Sequence, residues 1–195
     1  MKPICKYFKD TFSWNTDSAT PSDYTLIKNR VRLSVITDRL LRVEIDKHGN
    51  YTDEPTQSVI CRNFAKPEYK VVNDGDTVII ITSKTIFKYD CKNEKMLGIS
   101  LRGGKNLTEY KTGNLKGTYR TLDMTTGPIE LGDGIMSTDG VAVYDDKKSL
   151  ILNEDGTISA REKTVCDEYS KVYILILYKN TGNYNDDFLC YFYVY

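Results

Sequence analysis

Five aspartates crowd one stretch of this chain: Asp123, Asp133, Asp139, Asp145 and Asp146. Two carboxyls flanking a sugar can do glycoside chemistry, one as acid and the other as base or nucleophile. Aspartate also caps turns through its own side chain. Asp145-Asp146 before Lys147-Lys148 has that turn setting, and so has Asp155 before Gly156. Asp139, in Ser137-Thr138-Asp139-Gly140, has the most ambiguous setting of the five, as a turn residue or a ligand contact. Arg120, in Gly-Thr-Tyr-Arg-Thr-Leu-Asp, reads as a loop staple that bonds backbone carbonyls or Asp123. The same stretch holds Gly117, Gly127, Gly132, Gly134 and Gly140, but neither of the glycine patterns that cradle phosphates.

His48 is the single histidine. A Ser-His-Asp or Cys-His site has no other imidazole to use. A histidine-rich metal site is excluded, and an acid–base site of the mutarotase kind lacks its imidazoles. Lys47-His48-Gly49-Asn50 reads as a solvated turn. The cysteines, Cys5, Cys61, Cys91, Cys166 and Cys190, are odd in number and never spaced as CxxC. They read as buried or inert thiols rather than a zinc site or disulfide framework. The residues therefore assign no catalytic group, metal site or cofactor to this chain.

Composition bounds the rest. Of 195 residues, 40% are hydrophobic and 28% charged, which is ordinary for a globular domain with a real core. Lys plus Arg and Asp plus Glu are each 27, so the formal net charge is zero. Phosphate binding needs a basic excess on some face, so nucleic acid is not an expected partner. No stretch approaches the roughly 20 apolar residues of a membrane helix. The start, Met-Lys-Pro-Ile-Cys-Lys-Tyr-Phe-Lys-Asp, puts charges where a signal peptide carries its apolar core. A soluble cytoplasmic protein is the expectation, and sequons at Asn50 and Asn106 mean nothing in a protein that is not secreted.

The elements that must position the aspartates read as strands. Val31, Leu33 and Val35 alternate with Arg32 and Ser34; Leu41, Val43 and Ile45 alternate with Arg42 and Glu44. Period two around a short polar break predicts a hairpin with one buried face. Ser58–Arg62 reads as a short strand. Tyr69–Val72 and Thr77–Thr82 flank Asn73-Asp74-Gly75-Asp76 as a hairpin, and Thr85–Tyr89 follows. Val141–Tyr144, Leu150–Leu152 and Thr157–Ala160 continue the pattern, the last two joined through Asp155-Gly156. Residues 1–29 show no clear period; Phe12 and Trp14 read as packing anchors and Thr20-Pro21-Ser22-Asp23 as a turn. No sustained helical stripe appears. Many short strands with turns between predict an all-β fold, an antiparallel sandwich or barrel. The tail, Val172–Tyr178 and Phe188–Tyr195, reads as a Tyr-rich hairpin with few gatekeeper charges, which needs a partner surface.

Two segments carry a resemblance. Asn114-Leu-Lys-Gly-Thr-Tyr-Arg-Thr-Leu-Asp123, Gly127-Pro128, Leu131-Gly-Asp-Gly134, Ser137-Thr-Asp-Gly140 and Val143-Tyr-Asp-Asp146 resemble the N-terminal domain of glycoside hydrolase family 31, the α-glucosidases and α-xylosidases. Arg32–Glu44, Asp53-Glu-Pro-Thr-Gln-Ser-Val59 and Arg62-Asn-Phe64 read like the opening strands of the same domain. The resemblance covers roughly residues 25–165.

It implies a galactose-mutarotase-like β-sandwich, a supersandwich, over residues 1–166, followed by a divergent tail, 167–195, that is a hairpin or an aberrant end. It implies packing on a (β/α)₈ barrel that holds the catalytic aspartates in a Trp-x-Asp-Met-Asn type motif. Leu122-Asp123-Met124-Thr125 lacks that Trp and Asn, and a barrel of about 250 residues does not fit after residue 165. The expectation is an accessory domain, not catalytic alone, that serves α-linked glucosides or xylosides through a barrel. Asp139 matches the family's loop aspartate at the sugar pocket, with Thr138 and Val141 where the family has Arg and Trp. An exposed barrel-docking face would favour self-association. The alternative is a free-standing carbohydrate-binding or protein-interaction module.

Overall fold

The computed structural model describes residues 16–103, 106–107, 113–117, 126–134, 136–161 and 169–176. Phe12, Trp14, Arg120 and Asp123 lie outside them, as do Cys5, Cys166, Cys190 and the expected strand Phe188–Tyr195.

Among the described residues, eleven strands follow in chain order: β1 (Thr25–Lys28), β2 (Val31–Val35), β3 (Leu40–Asp46), β4 (Tyr69–Asp74), β5 (Thr77–Thr82), β6 (Thr85–Asp90), β7 (Lys95–Leu101), β8 (Val141–Asp145), β9 (Ile151–Leu152), β10 (Ile158–Ser159) and β11 (Tyr169–Ile176). Apart from one 3-10 turn at Ser22–Tyr24, the described residues hold no helix, and none is long and apolar enough to cross a membrane. All strand pairs are antiparallel. One sheet runs β1-β2-β3-β11-β8, a second is the meander β4-β5-β6-β7, and β9-β10 is a separate hairpin.

The two large sheets share one core. Val31, Leu33, Val35, Leu41, Val43, Val141 and Ile174 from the first meet Val78, Ile80, Phe87 and Tyr89 from the second. These are the odd-numbered members of β2 and β3 and alternate members of β5 and β6, as a two-residue period requires. Fully burying each such side chain contributes about 1.5–3 kcal/mol. The expected antiparallel β-sandwich is therefore the observed fold.

Three local expectations are corrected. The β2–β3 hairpin does not have one buried face but two: Arg32, Ser34, Arg42 and Glu44, on the side away from the core, are buried as well. Residues 51–64 lie over that side, so its charges are paired instead of solvated. Ser58–Arg62 is not a strand. It makes single bridges instead, Cys61 with Asp17, while its neighbour Thr56 pairs Ile151. It belongs to this covering segment, and Val59 fills a second small cluster with Ile36, Leu40 and Ala142. β1 falls within residues 1–29, which show no clear period, and β7 lies where no strand was expected. β1 is an edge strand with exposed Ile27, and β7 carries a register shift opposite Lys88/Tyr89 that breaks the alternation.

The tail segment begins its strand at Tyr169 rather than Val172. β11 lies inside the larger sheet, paired with β3 on one side and β8 on the other.

Candidate functional site

The glycine-rich stretch forms a ribbon that leads into β8. Asn114 bridges Ser137, Gly117 bridges Gly132, and Met136 bridges Ala142. The Asn114 side chain replaces a backbone partner: its Nδ2 donates to the Gly134 carbonyl at 2.9 Å, and the Gly134 N–H donates to its Oδ1 at 2.9 Å. Gly134 is required there by space, since a Cβ would lie 2.3 Å from the Leu115 carbonyl oxygen. The Leu115 N–H donates to the Met136 carbonyl at 2.8 Å, and the Thr138 N–H to the Gly113 carbonyl at 2.7 Å.

The ribbon ends in the turn that carries Asp139. The Gly140 N–H donates to the Ser137 carbonyl at 3.0 Å, and the Ser137 N–H to the Val141 carbonyl at 2.8 Å. The Val141 N–H also donates to the Ser137 Oγ at 3.1 Å. Gly140 has φ of +77°, the left-handed position that closes a short hairpin loop. Asp139 is thus a half-buried turn residue at the tip of a tightly bonded loop.

The other described aspartates have partners of their own. Asp133 is exposed and pairs Lys116 at 3.7 Å. The Asp145 carboxylate accepts the Lys147 N–H at 3.0 Å, and that of Asp155 accepts the Thr157 N–H at 2.9 Å, which makes both of them turn caps. Asp146 is buried and accepts the Thr56 hydroxyl at 2.9 Å, so it tethers the covering segment as well as the turn. His48 is exposed in the turn after β3, where its N–H donates to the Asp46 carboxylate at 2.6 Å. No group of three or more metal-ligating side chains occurs among the described residues. Cys91 is buried, and burial pushes its thiol pKa up, so it stays protonated and unreactive.

A buried cluster of ion pairs lies elsewhere, between the outer side of β2–β3 and residues 52–54. Arg32 Nε donates to Glu44 at 2.6 Å, and Arg42 Nη2 donates to the other Glu44 oxygen at 2.7 Å. Arg42 Nη1 donates to Asp53 at 2.6 Å, and Arg32 grips both Asp53 oxygens at 2.9 and 3.1 Å. Arg62 donates to the Asp53 and Glu54 carbonyls, and Arg161 to the Thr52 hydroxyl. Four arginines, two from the β2–β3 hairpin and two from distant positions, therefore converge on three residues. Burial alone raises the Asp53 pKa, but hydrogen bonds and positive charge from Arg42 and Arg32 outweigh it and hold the carboxyl below the usual carboxylate range. The readable signal was the facing of opposite charges across one hairpin, Arg32 opposite Glu44. The part played by residues 52–54 had no local signal.

A cleft of about 260 Å³ opens between residues 16–19, Pro55 and residues 152–154. Asp17 and Glu154 line it, but no aromatic ring does. A sugar would find hydrogen-bonding groups there but no stacking platform.

No family model matches the sequence, and neither does any curated protein. Among solved structures, the chain is similar to a family 31 α-xylosidase from Xanthomonas citri, at 20% identity and a TM-score of 0.37, over 62% of this chain and 13% of that one. It is also similar to a family 31 α-xylosidase from a soil metagenome, complexed with xylose, at 9% identity and a TM-score of 0.39. That match covers 78% of this chain and 31% of the enzyme. The chain thus spans well under half the length of either one.

Proposed function

We propose that this chain is the accessory β-sandwich of a family 31 type α-glycoside hydrolase, without catalytic activity of its own. It would pack on a (β/α)₈ barrel supplied by another polypeptide segment and lend its ribbon to the sugar pocket. The observation that carries this reading is the assembly of the resembling pieces. Asn114–Gly117, Leu131–Gly134 and Ser137–Gly140, quoted above for their likeness to that family, are hydrogen-bonded to one another in a single ribbon ending in the Asp139 turn. Asp139 is the residue that would meet sugar, and α-linked glucosides or xylosides are the substrates of the complete enzyme. Exposed apolar side chains such as Val72 and Leu97 favour self-association when no barrel covers them. A cytoplasmic site of action completes the reading.

The test is direct. The isolated chain should not hydrolyse p-nitrophenyl α-glucoside or α-xyloside above background. In calorimetry, maltose, isomaltose and xylose should bind no more tightly than roughly 1 mM, about −4 kcal/mol. Turnover would overturn the accessory reading. Tighter binding without turnover would instead establish a free-standing carbohydrate-binding module.

A further inference from the structure

β8, which begins immediately after the Asp139 turn, is joined to the rest of its sheet by one neighbour. The sheet order is β1-β2-β3-β11-β8, so β3 and β8 do not pair with each other. Every ladder bond between β8 and that sheet, among the described residues, runs through β11. The register is continuous: Ile174 faces Leu41 on one side and Val143 on the other, and Ile176 faces Val141, the first residue after Gly140. Ile174 is 6% exposed and lies in the shared core with Leu41 and Val141. β11 also lies beyond the stretch, roughly 25–165, that carries the family resemblance.

We infer that β11 is the positioning element of the Asp139 turn: it fastens β8, and through β8 the ribbon tip, to the sandwich. The path is short and made of backbone bonds. Ile176 pairs Val141; the Val141 carbonyl accepts the Ser137 N–H at 2.8 Å, and the Ser137 carbonyl accepts the Gly140 N–H at 3.0 Å. If β11 leaves, β8 loses its only strand neighbour in that sheet among the described residues and keeps only its local backbone bonds to Met136 and Ser137, which belong to the ribbon itself. The second sheet, β4–β7, keeps all of its own ladders, because none involves β11. The coupling is therefore directional, from the tail strand to the turn and not to the whole fold. Its functional weight rests on Asp139 meeting sugar, as proposed above. The mechanical coupling can be read without any sugar, so the two can fail separately.

Amide hydrogen exchange on the full chain reads it. Ile174→Asn should speed exchange at Val141–Asp145 and at Gly140 by about tenfold or more, while β5 and β6 change less than about twofold; Ile174→Val should restore protection. Equal acceleration across both sheets would mean that Ile174 serves the core alone and would overturn the inference. Should Ile174→Asn not fold, the unaltered chain supplies the same answer under rising urea. β11 and β8 should then open together as one unit, with the same denaturant dependence and before β5 and β6. β8 amides that stay protected after β11 has exchanged would overturn it.

Discussion

Arg42 and Asp53 meet at 2.6 Å under the segment that covers β3, the guanidinium fully buried and the carboxylate 31% exposed. Asp53 is bonded to Arg32 too, and both arginines are bonded to Glu44. Two cations and two anions therefore form a closed set. Removing water from any one of them costs several kcal/mol unless the others stay in place. This set turns the polar side of a sheet into an interior surface.

Glu44, like Arg42, has no access to solvent. Glu44→Gln should lower stability by about 3–5 kcal/mol, because Arg32 and Arg42 then share one anion where they had two. The urea midpoint reports it. Little change there would mean that water reaches the guanidinium groups in the folded protein.

Acid should loosen the covering segment through Asp53. Its folded pKa is depressed below the ordinary 3.8. A depressed carboxylate contributes stability that is fully present above the unfolded pKa and is lost as pH falls through the folded one. The unaltered chain should therefore lose stability on going from about pH 5 to below pH 3, and Asp53→Asn should flatten part of that slope. Denaturation midpoints at a series of pH values decide the matter; parallel curves for the two proteins would place the acid sensitivity elsewhere.

The ribbon depends on one absent Cβ. Gly134→Ala should disrupt the pairing with Asn114, because the new methyl meets the Leu115 carbonyl at 2.3 Å. Gly117→Ala, in the same ribbon, meets nothing within 4 Å and should be tolerated. Overpacking of this kind costs about 1–3 kcal/mol, spent mostly within the ribbon. Faster amide exchange at Leu115 and Gly134 in the first variant, and not in the second, is the expected result.

The two described cysteines should differ in reactivity. Cys91 is 1% exposed and its thiol pKa is raised by burial, whereas Cys61 is half-buried. Iodoacetamide under native conditions should label Cys61 well before Cys91, as read by mass spectrometry of the two peptides. Equal rates would show that the core around Val78 and Phe87 opens readily.

Most of the sandwich was legible because its signal is local. Val31, Leu33 and Val35 alternate with polar residues, and such alternation reports which side chains share a side. Gly75, Gly49 and Gly156 mark turns, and all three adopt positive φ. β1 and β7 escaped for opposite reasons. β1 is an edge with little burial to impose a pattern, and the register shift in β7 inserts a residue that resets the alternation. Within the candidate site, Ser137–Gly140 read as a turn or a ligand contact until its hydrogen bonds showed the turn, and the clamp between Asn114 and Gly134 was not readable, because it joins positions far apart in the chain.

By itself the sequence determined that this is an antiparallel β protein and where its main hairpins turn. Tertiary structure decided that Arg32, Arg42 and Glu44 are interior, and that the tail strand lies between β3 and β8. The reason is physical: a two-residue period says which residues share a side but not what covers it. Pairing between strands distant in sequence depends on the closed geometry of the whole sheet.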